Sequence, residues 1–230
     1  MAISQRMKTT FLMKMIDVVD LKIDYKQICQ KVTSNKDLWI NRFGIFYTFG
    51  ASVYIDDNKD YIKHKNKLNN VLYEHFGDLY SKLADYFGAE LNGEIGYPGF
   101  HIFNESSNQT TASIHFDTPY LRLPNYKLSF SKPQSFTILL KKPRSGAGLN
   151  VWNKINLNKM EVMEQKKFME HKTIKDLGDV EHVEYELGKM YVHSGSVLHQ
   201  ISNNGIGKGE ERITLQGHII QDGDKKYMYF

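Results

Sequence analysis

From residue 95 onward the chain is a run of short β-prone segments punctuated by Gly, Pro, Asn and Asp. These are GFHIF at 99–103, TASIHFD at 111–117, SFTILLKK at 135–142, LNVWNK at 149–154, VEHVEYEL at 180–187, KMYVHSG at 189–195, LHQIS at 198–202 and RITLQGHIIQ at 212–221. Strands in such number and at such spacing predict a sandwich or jelly roll, with one helix, over 159–171, interrupting the series. The first part of the chain reads differently. Leu68, Leu72, Phe76, Leu79, Leu83 and Phe87 recur every three or four residues, which predicts one face of a long helix ending near Gly88, and a shorter helix is expected within 22–33. The expected class is therefore α+β, a single domain over 1–230 in which 1–92 is mainly helical support and 95–222 is the jelly-roll core. Helices placed before a β-rich core can cover the outer face of one sheet and leave the space between the sheets for a ligand.

Composition narrows the setting more than the partner. With 41% hydrophobic and 24% charged residues over 230, the chain can bury a core without covalent staples. One cysteine, Cys29, excludes an internal disulfide framework and any multi-cysteine metal site, which suits a reducing, cytoplasmic location. The N-terminal apolar run is interrupted by Lys14 and followed by no small-residue cleavage site, which argues against secretion. The sequons at Asn104 and Asn108 then read as a polar loop. No apolar run is long enough to span a bilayer, so no membrane partner is expected. The net charge of +4 does not choose a ligand; KHKNK at 63–67 and KKPR at 141–144 read as solvated surface rather than a nucleic-acid site.

The sharpest local feature is His115-Phe116-Asp117. On a strand, residues two apart share a face, so imidazole and carboxylate would project together and could grip one metal ion. A second histidine, His199, starts a predicted strand, and Arg212 opens another beyond the loop NNGIGKGE. Read as a β-hairpin, this arrangement sets Arg212 opposite Ile201 and Thr214 opposite His199, so that His199, Arg212 and Thr214 face the same way. Two histidines and a carboxylate form a facial triad with open coordination positions, which favours non-haem Fe(II) over a closed zinc site. A nearby buried arginine adds bidentate recognition of a carboxylate.

In these motifs the sequence resembles the Fe(II)/2-oxoglutarate-dependent oxygenases with a double-stranded β-helix (jelly-roll) core, nearest the prolyl-hydroxylase-like branch. The resemblance covers about residues 95–222. It rests on His115-x-Asp117, the strand SFTILL, the GAGLNVW segment, the GSVLHQI segment carrying His199, and Arg212-Ile213-Thr214. It implies that His115, Asp117 and His199 bind Fe(II), that Arg212 pairs with the distal carboxylate of 2-oxoglutarate and that Thr214 hydrogen-bonds it. It further implies consumption of O2, release of succinate and CO2, and hydroxylation of a small molecule such as an amino acid derivative, or of a peptide side chain. Because Asp117 stands where related halogenases have a small residue, hydroxylation is expected over halogenation.

Other readings compete at several positions. His193 has the same strand parity as His199 and is the alternative distal ligand; the hairpin register favours His199. His101, His218, Tyr120 and Arg122 are candidate substrate contacts, the last two on the loop-like stretch 118–133 expected to cover the substrate. Trp152 reads as core. The alternative functions are nucleic-acid demethylation, for which no base-stacking or phosphate motif is evident, and a non-catalytic cupin-like metal-binding module, which would more often present His-x-His.

Overall fold

The computed structural model describes residues 16–105, 113–123, 133–144, 146–156, 177–202 and 206–230. In chain order its elements are β1 (Ile16–Val19), α1 (Tyr25–Ser34), β2 (Ile40–Arg42), β3 (Phe46–Phe49), α2 (Asn58–Phe87), β4 (Glu90–Leu91), β5 (Gly99–Asn104), β6 (Gln134–Lys141), β7 (Gly148–Asn156), β8 (Glu181–Glu184), β9 (Met190–Ser194), β10 (Val197–Ile201), β11 (Glu211–Asp222) and β12 (Lys225–Tyr229). Short 3-10 turns lie at Lys36–Leu38 and Pro119–Arg122. The helix expected over 159–171 falls outside the described residues.

Side-chain alternation divides the larger sheet into two chemically distinct faces. Phe100 and Ile102 on β5, Phe136, Ile138 and Leu140 on β6, Met190 and Val192 on β9, and Ile213, Leu215 and Ile219 on β11 form one apolar face. Leu68, Leu72, Phe76, Leu79, Leu83 and Phe87 of α2 and Ile28 and Val32 of α1 pack on it. The alternate residues, including His101, Thr137, His193, Arg212, Thr214 and His218, are buried on the opposite face. The helices thus cover the outside of the sheet, as the sequence predicts, and the polar residues turn toward the second sheet.

That second sheet has the order β10-β7-β8, and the larger one runs β1-β9-β6-β11-β5-β3-β2, with β12 beside β11 and β4 beside β12. All pairings are antiparallel except β4 with β12. Leu149 and Val151 of β7 meet Leu139, Tyr185 and Tyr191 in a core between the sheets. Two sheets closing on a shared interior make a jelly roll.

α2 begins at Asp57, whose carboxylate accepts from Asp60 N at 2.8 Å, and ends at Gly88 with φ 58, the left-handed stop that glycine favours. It bends at Phe76, where φ is −127, and this places Phe76 against Phe100 with ring centroids 4.7 Å apart. The N-terminal part holds more than helices: β1 to β4 all join the larger sheet. These strands have two to four residues, too short for alternation to mark them.

Two sequence expectations are corrected. The described part of the segment expected as a strand over 111–117 is not one: residues 113–118 are irregular apart from a single antiparallel bridge between His115 and His199. Nor do β10 and β11 form a hairpin. β10 pairs with β7, setting His199 opposite Val151, whereas β11 pairs with β5, setting Arg212 opposite Phe103 and Thr214 opposite His101. The two strands lie in different sheets: β10 pairs with β7, and the stretch of β11 that carries Arg212 and Thr214 pairs with β5 and β6.

Candidate active site

His199 sits on β10 with its side chain 4% exposed, and the bridge to His115 is closed by His115 N donating to His199 O at 2.9 Å and His199 N donating to His115 O at 3.0 Å. Asp117 is tethered two residues on, where its N–H donates to Gly195 O at 2.8 Å. The close approach favours glycine at 195, since a Cβ there would lie 3.0 Å from Asp117 O. The irregular 113–118 segment is thus pinned to β10 and to the turn between β9 and β10 by backbone bonds at both ends of the His-x-Asp pair.

The three side chains converge. His115 Nε2 lies 3.5 Å from Asp117 Oδ1, His199 Nε2 lies 3.4 Å from Asp117 Oδ2, and one ligand atom from each residue falls within 4.8 Å of the others. Both imidazoles are oriented from behind: His115 Nδ1 lies 2.8 Å from Ser113 O and His199 Nδ1 lies 2.8 Å from Val197 O. A carbonyl accepts only, so each Nδ1 carries a proton, and Nε2 is the nitrogen that each ring turns toward Asp117. Burial alone raises the Asp117 carboxyl, but His199, His115 and His218 outweigh it and hold the group well below the usual carboxylate range. A carboxylate and two imidazoles that would ligate through Nε2 are the donor set that an Fe(II) facial site needs. The residues present therefore fit such a metal.

Two further histidines approach from the larger sheet. His193 Nε2 lies 3.9 Å and His218 Nδ1 4.0 Å from Asp117 Oδ2. Burial, reinforced by His199, depresses His193 to about 4; burial also lowers His218, against the pull of Asp117. Ser135 Oγ holds His218 Nδ1 at 2.9 Å, so the atom nearest Asp117 is already engaged. His193 is likewise turned, with Nδ1 3.1 Å from Ser194 O.

On the inner face of the larger sheet, Arg212 and Thr214 lie fully buried on β11. The guanidinium stands over the Phe103 ring at 6.0 Å, and burial lowers its pKa to about 10. Thr214 Oγ1 is buried without a hydrogen-bond partner. A buried cation beside an orphaned hydroxyl suits the distal carboxylate of a 2-oxo acid.

The triad opens into a cavity of about 570 Å3, within the range of roughly 300–1,000 Å3 usual for small-molecule sites. His101, His218 and Arg122 line it; His101 Nε2 meets the Tyr54 hydroxyl at 2.7 Å, and Arg122 Nη1 donates to Tyr54 O at 2.9 Å. The Tyr120 side chain lies outside the described residues, as does most of 118–133 beyond the 3-10 turn. Trp152 is buried in a cluster with Phe116, Leu177 and Leu198. Sequence reasoning missed Tyr54, Arg42 and Tyr185, which also line the cavity. No motif marks them, and each reaches the cavity only through long-range packing.

No family model and no curated protein matches the chain. Among solved structures, it is similar to an N-substituted L-amino acid dioxygenase from Burkholderia ambifaria: 12% identity, TM-score 0.57, covering 94% of this chain and 86% of that one. The same dioxygenase in complex with α-ketoglutarate superposes with TM-score 0.52 and 11% identity, over the same shares of the two chains. The chain shares the fold of that protein. Within this fold His199 lies on the smaller sheet, and Arg212 and Thr214 lie on the inner face of the larger one.

Proposed function

We propose that the chain is an Fe(II)- and 2-oxoglutarate-dependent oxygenase that hydroxylates a compact small molecule such as an amino acid derivative, or a peptide side chain, and releases succinate and CO2. The observation that carries this reading is the convergence of His115, Asp117 and His199, with both Nε2 atoms turned inward, in a jelly roll that also buries Arg212 on the inner face of its larger sheet. The same fold in a dioxygenase that takes α-ketoglutarate supports it. Bound iron and 2-oxoglutarate would supply the oxidising chemistry, for which amino acid side chains have no equivalent.

The chain's own residues would hold and shield. His115, Asp117 and His199 would bind the metal on one side and leave the cavity side open. The Asp117 charge would offset part of the metal's, and the carbonyls of Ser113 and Val197 would keep each imidazole in its ligating tautomer. Arg212 and Thr214 would grip the distal carboxylate, and the apolar wall of Leu149, Tyr185 and Ile201 would exclude water. The single cysteine, Cys29, supports a reducing, cytoplasmic setting.

Titration of anaerobic Fe(II)-loaded protein with 2-oxoglutarate should give the visible charge-transfer band of a chelated 2-oxo acid, followed by succinate on admission of O2. Asp117→Ala should give neither. Bound iron with no band and no succinate would overturn the reading in favour of a non-catalytic metal-binding module.

A further inference from the structure

The turn joining β2 to β3 is built against sequence preference. Ile45 N donates to Arg42 O at 2.9 Å, and both central residues have positive φ, Phe43 at 58 and Gly44 at 72. This is the type I′ pattern, whose first central position strongly favours Asn, Asp or Gly. Phe43 stands there instead, in a left-handed conformation that a bulky side chain rarely adopts, and it is 86% exposed. Neither backbone geometry nor core packing accounts for a phenylalanine at this position.

What Phe43 does adjoin is the cavity. It shares the wall with Phe46, Phe103, Tyr54 and His101, in the space that also contains Asp117. Phe46 stacks on Phe103 with centroids 5.0 Å apart, and His101 meets Phe46 edge-on at 5.2 Å. The rim is held rigid from behind. Arg42, next to Phe43, is buried in a two-pronged ion pair with Asp56, whose Oδ2 also accepts from Ser52 N at 2.9 Å, and Arg42 Nε donates to Thr48 Oγ1 at 2.8 Å. Strain that persists at a locked rim beside an active-site cavity points to function.

The charges of the cavity wall are lopsided. Among the described lining residues Asp117 is the sole carboxylate, and it is committed to the histidines around it. Arg42 is neutralised by Asp56, whereas Arg122 has no carboxylate partner among the described residues and gives Nη1 to a backbone carbonyl. The mouth therefore offers an aromatic wall and an available guanidinium.

Building on the oxygenase reading, we propose that Phe43 is a substrate clamp and that the substrate is a compact organic acid bearing a planar apolar ring. The ring packs among Phe43, Phe46 and Phe103, and the anionic group pairs with Arg122.

The test uses three probes in ligand-observed NMR titrations: 3-phenylpropionate, its uncharged amide, and butyrate, which keeps the anion without the ring. They are run on metal-free protein and on anaerobic protein carrying Fe(II) and 2-oxoglutarate. The wild-type chain should bind 3-phenylpropionate roughly tenfold more tightly than either other probe. Phe43→Gly should abolish the advantage over butyrate, and Arg122→Gln the advantage over the amide. Phe43→Gly should also keep or raise the Tm, since glycine suits a φ of 58, which separates a clamp from a structural role. Equal ring preference in Phe43→Gly and wild type, or no preference for 3-phenylpropionate in the wild type, overturns the proposal. The charge-transfer band tests the oxygenase reading by a separate signal, so the two fail independently.

Discussion

Asp117 is the residue on which the site's electrostatics turn, because four imidazoles lie within 4.0 Å of its two carboxylate oxygens. Only His115 and His199 present Nε2 with the other nitrogen bound to a carbonyl two residues earlier, which preorganises both for a metal. His199→Ala should weaken anaerobic Fe(II) binding on the order of 100-fold or more, while His193→Ala should change it by about tenfold at most, the scale of a supporting residue. Isothermal titration of both variants decides between them, and a larger loss in His193→Ala would exchange their roles. Arg212 acts on the other ligand. Arg212→Met should raise the 2-oxoglutarate half-saturation of the charge-transfer band on the order of 100-fold, since it leaves a buried carboxylate unpaired, with Fe(II) affinity little altered.

At the scale of elements, each long strand of the larger sheet separates stability from binding. Leu72 of α2 is fully buried against the outer face, remote from the polar inner face of the same strands. Leu72→Ala should therefore cost about 2–5 kcal/mol in urea unfolding while leaving the 2-oxoglutarate titration unmoved; a shifted titration would show that the faces are coupled. The same division explains what the sequence could and could not reveal. Alternation along 212–221 is a property of one strand, so the common orientation of Arg212, Thr214 and His218 was legible without knowing their neighbours. The partner of that strand was not, because β11 pairs with β5, more than 100 residues earlier, rather than with β10. His115-x-Asp117 was legible as a chemical pair although its segment is irregular, held by two backbone bonds to His199 of β10 and one to Gly195 that leave no periodic trace. β2 and β3 carry neither length nor alternation, so the rim they build around Phe43 and Tyr54 had no sequence signal.

For the molecule as a whole, burying histidines in a closed interior makes stability depend on pH. His101 is the cleanest case: its Nε2 lies 2.7 Å from the Tyr54 hydroxyl, and burial, with Arg212 and Arg42 nearby, lowers its pKa from 6.5 to about 3. Above 6.5 the ring is neutral in both folded and unfolded chains and contributes no slope. Between 6.5 and about 3 the unfolded chain takes up a proton that the folded chain refuses, so stability falls as pH falls, and below about 3 the effect levels off. The contribution within that window is about 1.4 kcal/mol per pH unit. Chelator-treated protein unfolded in urea from pH 7 to pH 4.5 should lose stability steadily, and His101→Asn should lose it more slowly by about that slope. Parallel pH profiles for the two proteins would mean that His101 is protonated, or reached by water, within the folded interior. The direction also bears on the site, since the same interior that keeps His101 neutral keeps His193 neutral, leaving Asp117 as the charge to which a divalent metal is drawn.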